Sequence, residues 1–457
     1  MYVSAPRYCE QSGCSWRDVG KVYPDHFFFV GTYSSTFTGG GGSASLSRRR
    51  RRRRPRSPST PLEDDDLLSE ILLRLPPQPS SLPRASLVCK RWHGLASDPG
   101  FFRRFRIRHR RKPPLLGFFD GHSDSFIPTL DAPNRVPPGR FSLPRDDGRR
   151  FRFLGCRHGL VLFFDLTRLH FLVWDPVVGD QHRLAIPPGI VTRPEKIVFN
   201  GAVFRAGGDA DDHFQLVLTT ADDDDKQHRR ALACVYSSHT GLWGNLISTQ
   251  LPSEVSGSDD PIDIGDFPSL VCTGKPDVLA GNSIYWMLTG NFVGVLEFDL
   301  GKQSLAVIRV PAHMLEHGQF WIVRAQGGGL GLLFLTDSNL QSWNWRIDCD
   351  GVASWALATT IQLNKLLSLD TNTKIVLGFA EENNVVFLWA LGVVFMVHLE
   401  SLQFKKLLET NTPSHYHPFE TVYTAGNSMP SHIIYNRTKL IYVNCLMEYS
   451  SHPPVLS

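Results

Sequence analysis

PLEDDDLLSEILLRLPPQPSSLPRASLVCKRWHGLASDPGFFRR, residues Pro61–Arg104, is the stretch on which the fold of this chain turns. Asp64, Asp65 and Asp66 stand where a first helical turn favours acids, because carboxylates oppose the positive end of the helix dipole. Leu67, Leu68, Ile71, Leu72 and Leu75 follow at helical spacing, and Pro76-Pro77-Gln78-Pro79 stops that helix. Leu82, Ala85, Val88, Cys89 and Trp92 mark a second apolar stripe, with Arg84, Lys90 and Arg91 off it. Asp98-Pro99 then turns the chain into a third short piece carrying Phe101, Phe102 and Phe105. A unit of about 45 residues lies near the lower limit for a self-sufficient core. Its apolar positions outnumber what it can bury alone, so the surplus is covered by another protein or by the rest of this chain.

The remainder of the chain is much longer than this unit. At 457 residues, the protein exceeds one ordinary domain. Its 42% hydrophobic and 20% charged content is that of a soluble globular protein. The net charge is +4, and becomes −4 without Arg48–Arg54 and Arg56, so no global basic field argues for nucleic acid. Residues 1–58 combine a Gly/Ser-rich stretch with that arginine run and have no period able to bury a face, so a disordered tail is expected there. The run itself fits a nuclear import signal or a solvated tail. Cys9, Cys14, Cys89, Cys156, Cys234, Cys272, Cys349 and Cys445 form no C-x-x-C pair, which reads as reduced thiols in an intracellular protein. Phe27-Phe28-Phe29-Val30 is too short for a secretory h-region. Val385–Leu399 is apolar but shorter than the roughly 20 residues a spanning helix needs, and it divides at Leu391-Gly392 into two buried strands. No membrane association is expected.

From Leu115 onward, short β-rich runs alternate with Gly, Asp, Asn and Pro turns. An approximate repeat recurs as FLVWDPVVGDQHRLAIPP, ACVYSSHTGLWGNLIS, VLEFDLGKQSLAVIRVP, SWNWRIDCDGVASWALA and FMVHLESLQFKKLLE. Its markers, Trp174, Tyr236, Phe298, Trp345 and Val397, are 47 to 62 residues apart. Each copy follows another strand-like run, such as GLVLFFDL, FQLVLTT or LGLLFL. A period near this length with up to four strands per copy is that of propeller blades. Leu115–Leu130 and Ile433–Leu446 flank the five copies and could close the ring, giving about six blades. The competing arrangement is a pair of β-sandwiches.

These residues resemble a known family. Asp66-Leu67-Leu68-x-Glu70-Ile71-Leu72-x-Arg74-Leu75-Pro76 and Leu82-x-Arg84-x-x-x-Val88-Cys89-Lys90-x-Trp92, closed by Asp98-Pro99 and Phe101, resemble the F-box. Trp174-Asp175-Pro176 with Gly179, LAGNSIYWML and LEFDLGKQSLAVI look like the β-propeller-like associated region of plant F-box proteins. The resemblance departs at Leu62-Glu63, where the family's Leu-Pro lead-in is shifted to Pro61-Leu62. It implies a multidomain chain: a disordered tail (1–58), a small all-α F-box of about three helices (59–108) and an all-β, β-propeller-like domain of about six blades (115–450). It implies the substrate receptor of an SCF-type cullin–RING ubiquitin ligase, with no catalysis and no cofactor of its own. A Skp-type adaptor would dock on Leu67, Leu68, Ile71, Leu72, Leu75, Pro76, Val88, Cys89 and Trp92, while the β domain would hold an unnamed target protein. The expected location is nucleus and/or cytoplasm. The alternative is a ligand-binding or enzymatic propeller.

The enzyme signals are weak. His313-Met314-Leu315-Glu316-His317 matches H-x-x-E-H, but Pro311 and Gly318 leave barely one helical turn, too little to set two zinc ligands on one face. Gly327-Gly328-Gly329-Leu330-Gly331 precedes a strand, so no helix dipole backs a phosphate cradle. Asp222–Asp225 reads as a solvated loop, and Asp348-x-Asp350-Gly351 lacks the rest of a calcium loop. Asn436-Arg437-Thr438 is a glycosylation sequon relevant only on the secretory route. Cys156 and His158 could pair as nucleophile and base, but no orienting acid accompanies them.

Overall fold

The computed structural model describes residues 64–143, 150–190, 199–205, 213–222, 229–252, 270–271, 274–290, 292–316, 319–369 and 373–423. The expected tail (1–58), Leu62-Glu63, Asp223–Asp225, His317 and the sequon at Asn436 lie outside the described residues.

The first helix, α1 (Asp65–Leu72), starts where the acids predict. Asp64 Oδ1 accepts from the backbone N–H groups of Asp66 and Leu67, so Asp64 is the cap and Asp65 and Asp66 form the first turn. The second apolar stripe does not make one helix. It divides into α2 (Ser81–Ser86) and α3 (Lys90–Ala96), so with α4 (Pro99–His109) the unit has four helices among the described residues instead of about three. Ser86 Oγ donates to the Pro83 carbonyl at 2.7 Å, and Cys89 is fully extended, so local bonding ends α2. Val88 and Cys89, with Leu87, are consequently the exposed break between two helices, not members of one continuous apolar stripe. Helix α4 is capped by Asp98, which accepts from the Phe101 N–H at 2.6 Å, with Pro99 in the first turn.

The helical unit has no core of its own. Leu68, Leu72, Leu82, Phe101, Phe102 and Phe105 belong to one buried cluster with Leu116, Phe119, Phe126, Phe153 and Phe419 of the β domain.

Six antiparallel sheets follow among the described residues, as blades of a β-propeller. The first blade is β1 (Leu115–Asp120) and β2 (Phe126–Pro128), completed by β25 (Tyr416–Glu420) from the far end of the chain. The second is β3 (Phe151–Arg157), β4 (Leu160–Asp165), β5 (His170–Trp174) and β6 (Gln181–Ala185). The third is β7 (Phe199–Arg205), β8 (Phe214–Asp222), β9 (Arg230–Ser237) and β10 (Leu242–Trp243), with β11 (Ile247–Gln250) also on β9. In the fourth, β12 (Leu270–Val271) and β13 (Val278–Ala280) share β14 (Ser283–Thr289), followed by β15 (Gly294–Asp299) and β16 (Ser304–Arg309). The fifth is β17 (Gln319–Arg324), β18 (Leu330–Leu335), β19 (Asn339–Ile347) and β20 (Ala353–Gln362). The sixth is β21 (Lys374–Ala380), β22 (Val385–Ala390), β23 (Val393–His398) and β24 (Phe404–Glu409).

Each copy of the sequence repeat is the outer hairpin of a blade, the run before it is the second strand, and the first strands line the axis. There β25 touches β3 and β21, β3 touches β7, and β17 touches β13 and β21. The apolar run at Val385–Leu399 is β22 and β23, joined at Leu391 and Gly392 with φ of +50° and +77°, the mirror-image turn that suits a twisted hairpin. No helix among the described residues is long and apolar enough to cross a membrane.

The ring closes earlier in the chain than Ile433–Leu446, which lies outside the described residues. Tyr416–Glu420 does it, pairing with β1 in the register Phe118↔Pro418, Phe119↔His417 and Asp120↔Tyr416. The sixth blade comes so close that a Cβ at Gly378 would sit 2.4 Å from the Tyr416 carbonyl oxygen. Phe419 lies 5.2–6.2 Å, centroid to centroid, from the rings of Phe119, Phe126 and Phe141. Phe419→Ala should therefore cost about 3–5 kcal/mol of stability, read as a lowered thermal unfolding midpoint of the whole chain.

Candidate functional site

The helical unit is sealed on one side and open on the other. Leu68 and Leu72 are 0% and 1% exposed, so both hold the core and neither is available to a partner, contrary to their place in the sequence-derived docking set. The reason is angular: one residue is about 100° of helix, so Leu68 and Leu72 share a face that Leu67 and Ile71 do not. Leu67 and Ile71 are 49% and 39% exposed, and Leu87 and Val88 in the break are 74% and 63% exposed. Pro76 and Cys89 are also exposed, while Leu75 and Trp92 are half-buried against the shared core. Leu87 was missed because helical periodicity pointed to a continuous stripe; Ser86 beside it was the available signal of a stop. Arg91 joins α3 to α1 through Asp65 at 2.6 Å, an exposed pair that adds at most about 1 kcal/mol.

The inner face of α4 is clamped to the ring. Arg106 Nη1 is 3.7 Å from Asp175 Oδ2, which also pairs with Arg205, and Arg110 Nη2 donates to the Arg205 carbonyl at 2.9 Å. Asp175 Oδ1 meanwhile accepts from the N–H groups of Val177 and Val178, which shapes the turn between β5 and β6. The Trp174-Asp175-Pro176 marker is thus the point where a blade and the helical unit meet. Arg110→Ala with Asp175→Asn should leave the ring folded and speed tryptic cleavage at Arg108–Lys112, followed by limited proteolysis.

Beside the clamp, the ends of the inner strands place charges of both signs around the channel mouth. Arg157 ends β3, Arg205 ends β7, Arg324 ends β17, Glu381 follows β21 and Glu420 ends β25. Burial works against the Arg157 charge, but Glu381 and Asp277 outweigh it and hold the guanidinium protonated. Its Nη2 donates to Asp277 Oδ2 at 2.8 Å and it pairs with Glu381. Arg324 Nη1 donates to Glu382 Oε1 at 2.9 Å. Glu420 accepts from the Asn383 side chain at 2.7 Å and from the Asn383 N–H at 2.9 Å, and Asn383 donates to the Pro113 carbonyl at 3.0 Å. One carboxylate therefore ties the last strand to the sixth blade and, through Asn383, to the linker from α4.

The cavity here, partly open to solvent, is about 60 Å³. That is room for a few waters, each needing at least about 10–15 Å³. Cys156 and His158 both line it, and each bonds elsewhere: His158 Nδ1 accepts from the Arg205 N–H at 3.3 Å. Burial pushes the Cys156 thiol well up, and its Sγ donates to the Pro418 carbonyl at 3.0 Å. Burial and then the charges of Arg157, Arg110 and Arg205 pull His158 down to about 3. His313 lies on the short helix Ala312–Glu316, Gly328 turns the chain into β18, and Asp348 caps its own hairpin turn by accepting from Asp350 and Val352. Among the described residues no three His, Cys, Asp or Glu side chains gather as a metal site.

Burial raises Glu420 to about 7 from 4.5, with the Asn383 and Glu382 hydrogen bonds opposing and the Glu381 and Glu382 charges adding. The folded state thus binds this proton more tightly than the unfolded chain. The stability contributed by this one group is fully present below pH 4.5 and is lost as pH rises through about 7, by up to roughly 3 kcal/mol. Glu420→Gln should flatten that part of the stability–pH profile, measured by thermal unfolding between those values.

Residues 65–108 match a family model described as F-box-like. Residues 152–425 match one described as F-box protein AT5G49610-like, beta-propeller. No curated protein matches the sequence with significance. Among solved structures, apo AztD from Citrobacter koseri is similar at 9% identity and a TM-score of 0.33, over 67% of this chain and 90% of that one. A luciferin-regenerating enzyme is similar at 8% identity and 0.32, over 57% and 77%. Dipeptidyl peptidase 4 of Porphyromonas gingivalis is similar at 11% and 0.27, over 59% and 40%. Likenesses this distant carry no argument about activity.

Proposed function

Because the chain belongs to the F-box protein AT5G49610-like β-propeller family and carries an F-box-like unit ahead of its ring, we propose that it is the target-recognition subunit of an SCF-type cullin–RING ubiquitin ligase. The observation that carries this reading is the apolar rim of Leu67, Ile71, Leu87 and Val88, uncovered on a unit whose Leu68, Leu72, Leu82, Phe101, Phe102 and Phe105 are buried in the shared core. A rim of this kind is completed by an apolar surface on a Skp-type adaptor. The propeller holds the target protein. The bond-forming steps belong to the E2 enzyme and the RING subunit, and this chain contributes proximity of a target lysine to the loaded thioester. The clamp at Asp175 supports the reading, since proximity is worth most when the target and the adaptor are held in one fixed relation. The arginine run favours a nuclear or cytoplasmic setting, where such ligases operate.

The test is co-purification of the full chain with a Skp-type adaptor. Ile71→Asp with Val88→Asp should reduce capture at least about tenfold, a loss of roughly 1.4 kcal/mol or more, with an unchanged unfolding midpoint. Leu402→Asp, on an exposed turn of the sixth blade, serves as the control and should capture normally. Undiminished capture by the rim variant would overturn the proposal. Leu72→Ala is not a discriminating variant, because a core truncation costs about 2–5 kcal/mol and unfolds the unit with its surface.

A further inference from the structure

We propose that His213 and His239 form a binding site for a divalent transition-metal ion of the zinc, nickel or copper class. His213 directly precedes β8 and His239 lies in the turn between β9 and β10. The two segments are pinned just beyond the last ladder pair, Gln215↔Ser237. There the Phe214 N–H donates to Ser238 Oγ at 2.8 Å and the Ser238 N–H donates to the Phe214 carbonyl at 3.0 Å. The pair is therefore held by a rigid hairpin.

His213 Nε2 and His239 Nδ1 are 3.4 Å apart, with ring centroids at 4.8 Å and planes at 77°. That is long for an N–H hydrogen bond, which prefers about 2.7–3.2 Å. It equals the span, about 3.3–3.4 Å, between two nitrogens each about 2.0–2.1 Å from a tetrahedral zinc ion. Imidazole nitrogens are the donors this class of ion prefers. The pair lies at the surface, so an ion enters from solvent. With two protein ligands among the described residues, the other positions are taken by water or by a donor from another molecule. Loaded, the ion staples the start of β8 to the β9–β10 turn. The inference is independent of the ubiquitin-ligase reading.

Chelator-stripped full-length protein titrated with zinc chloride in a calorimeter tests it. The wild type should take up one ion more, with micromolar affinity, than the His213→Gln, His239→Gln double variant. Each single variant should weaken that step by at least the roughly tenfold that losing even an outer-shell partner costs. Both side chains lie at the surface, so the variants should melt with the wild type when metal is absent. Equal zinc uptake by the wild type and the double variant would overturn the site and leave a plain imidazole–imidazole contact.

Discussion

An apolar seam from α4 into the first and second blades is the interaction on which the rest of this molecule depends. Phe101, Phe102 and Phe105 on one side and Phe119, Phe126, Phe153 and Phe419 on the other belong to one continuous cluster. Four short helices have too little interior to persist alone. The propeller for its part is open until a distant strand completes its first blade. Phe419 serves both needs, because it lies on the closing strand and in the shared cluster. Loss of the seam therefore threatens both the ring and the helical unit.

The seam also decides what remains outside. Burying the Leu68 and Leu72 face of α1 turns Leu67 and Ile71 to solvent, and the break after α2 adds Leu87 and Val88. The polar counterpart is the clamp of Arg106, Arg110, Asp175 and Arg205, which uses charges in low-dielectric surroundings to fix direction where apolar packing fixes only proximity. The channel mouth is lined by ion pairs and by a Glu420 carboxyl near its titration point, an arrangement that holds strands together.

Much of this was legible in the residues. The acids before Leu67, the Pro-rich stop and the repeated outer hairpins have local causes, namely capping, a missing N–H and period-2 burial beside tight turns. The F-box-like pattern was legible for the same reason. The division of the second stripe was not, because Val88 and Cys89 keep helical spacing while a serine hydroxyl and an extended cysteine end the helix. The strands at the axis were also harder to see. They are buried on both faces and so lose the alternation that marks the outer hairpins.

Sequence alone determined that there would be a small helical unit followed by five copies of a repeat, enough with their flanks for about six blades, and which residue types would be apolar. Only the tertiary structure decided which leucines are spent inside, because a helix of eight residues offers more apolar positions than one contact face can cover. It also decided where the ring closes and which charges meet at its mouth. Those contacts join residues more than 200 positions apart, such as Arg157 with Glu381 and Phe119 with Phe419. Their pairing depends on the cumulative twist of six blades, and no local spacing encodes it.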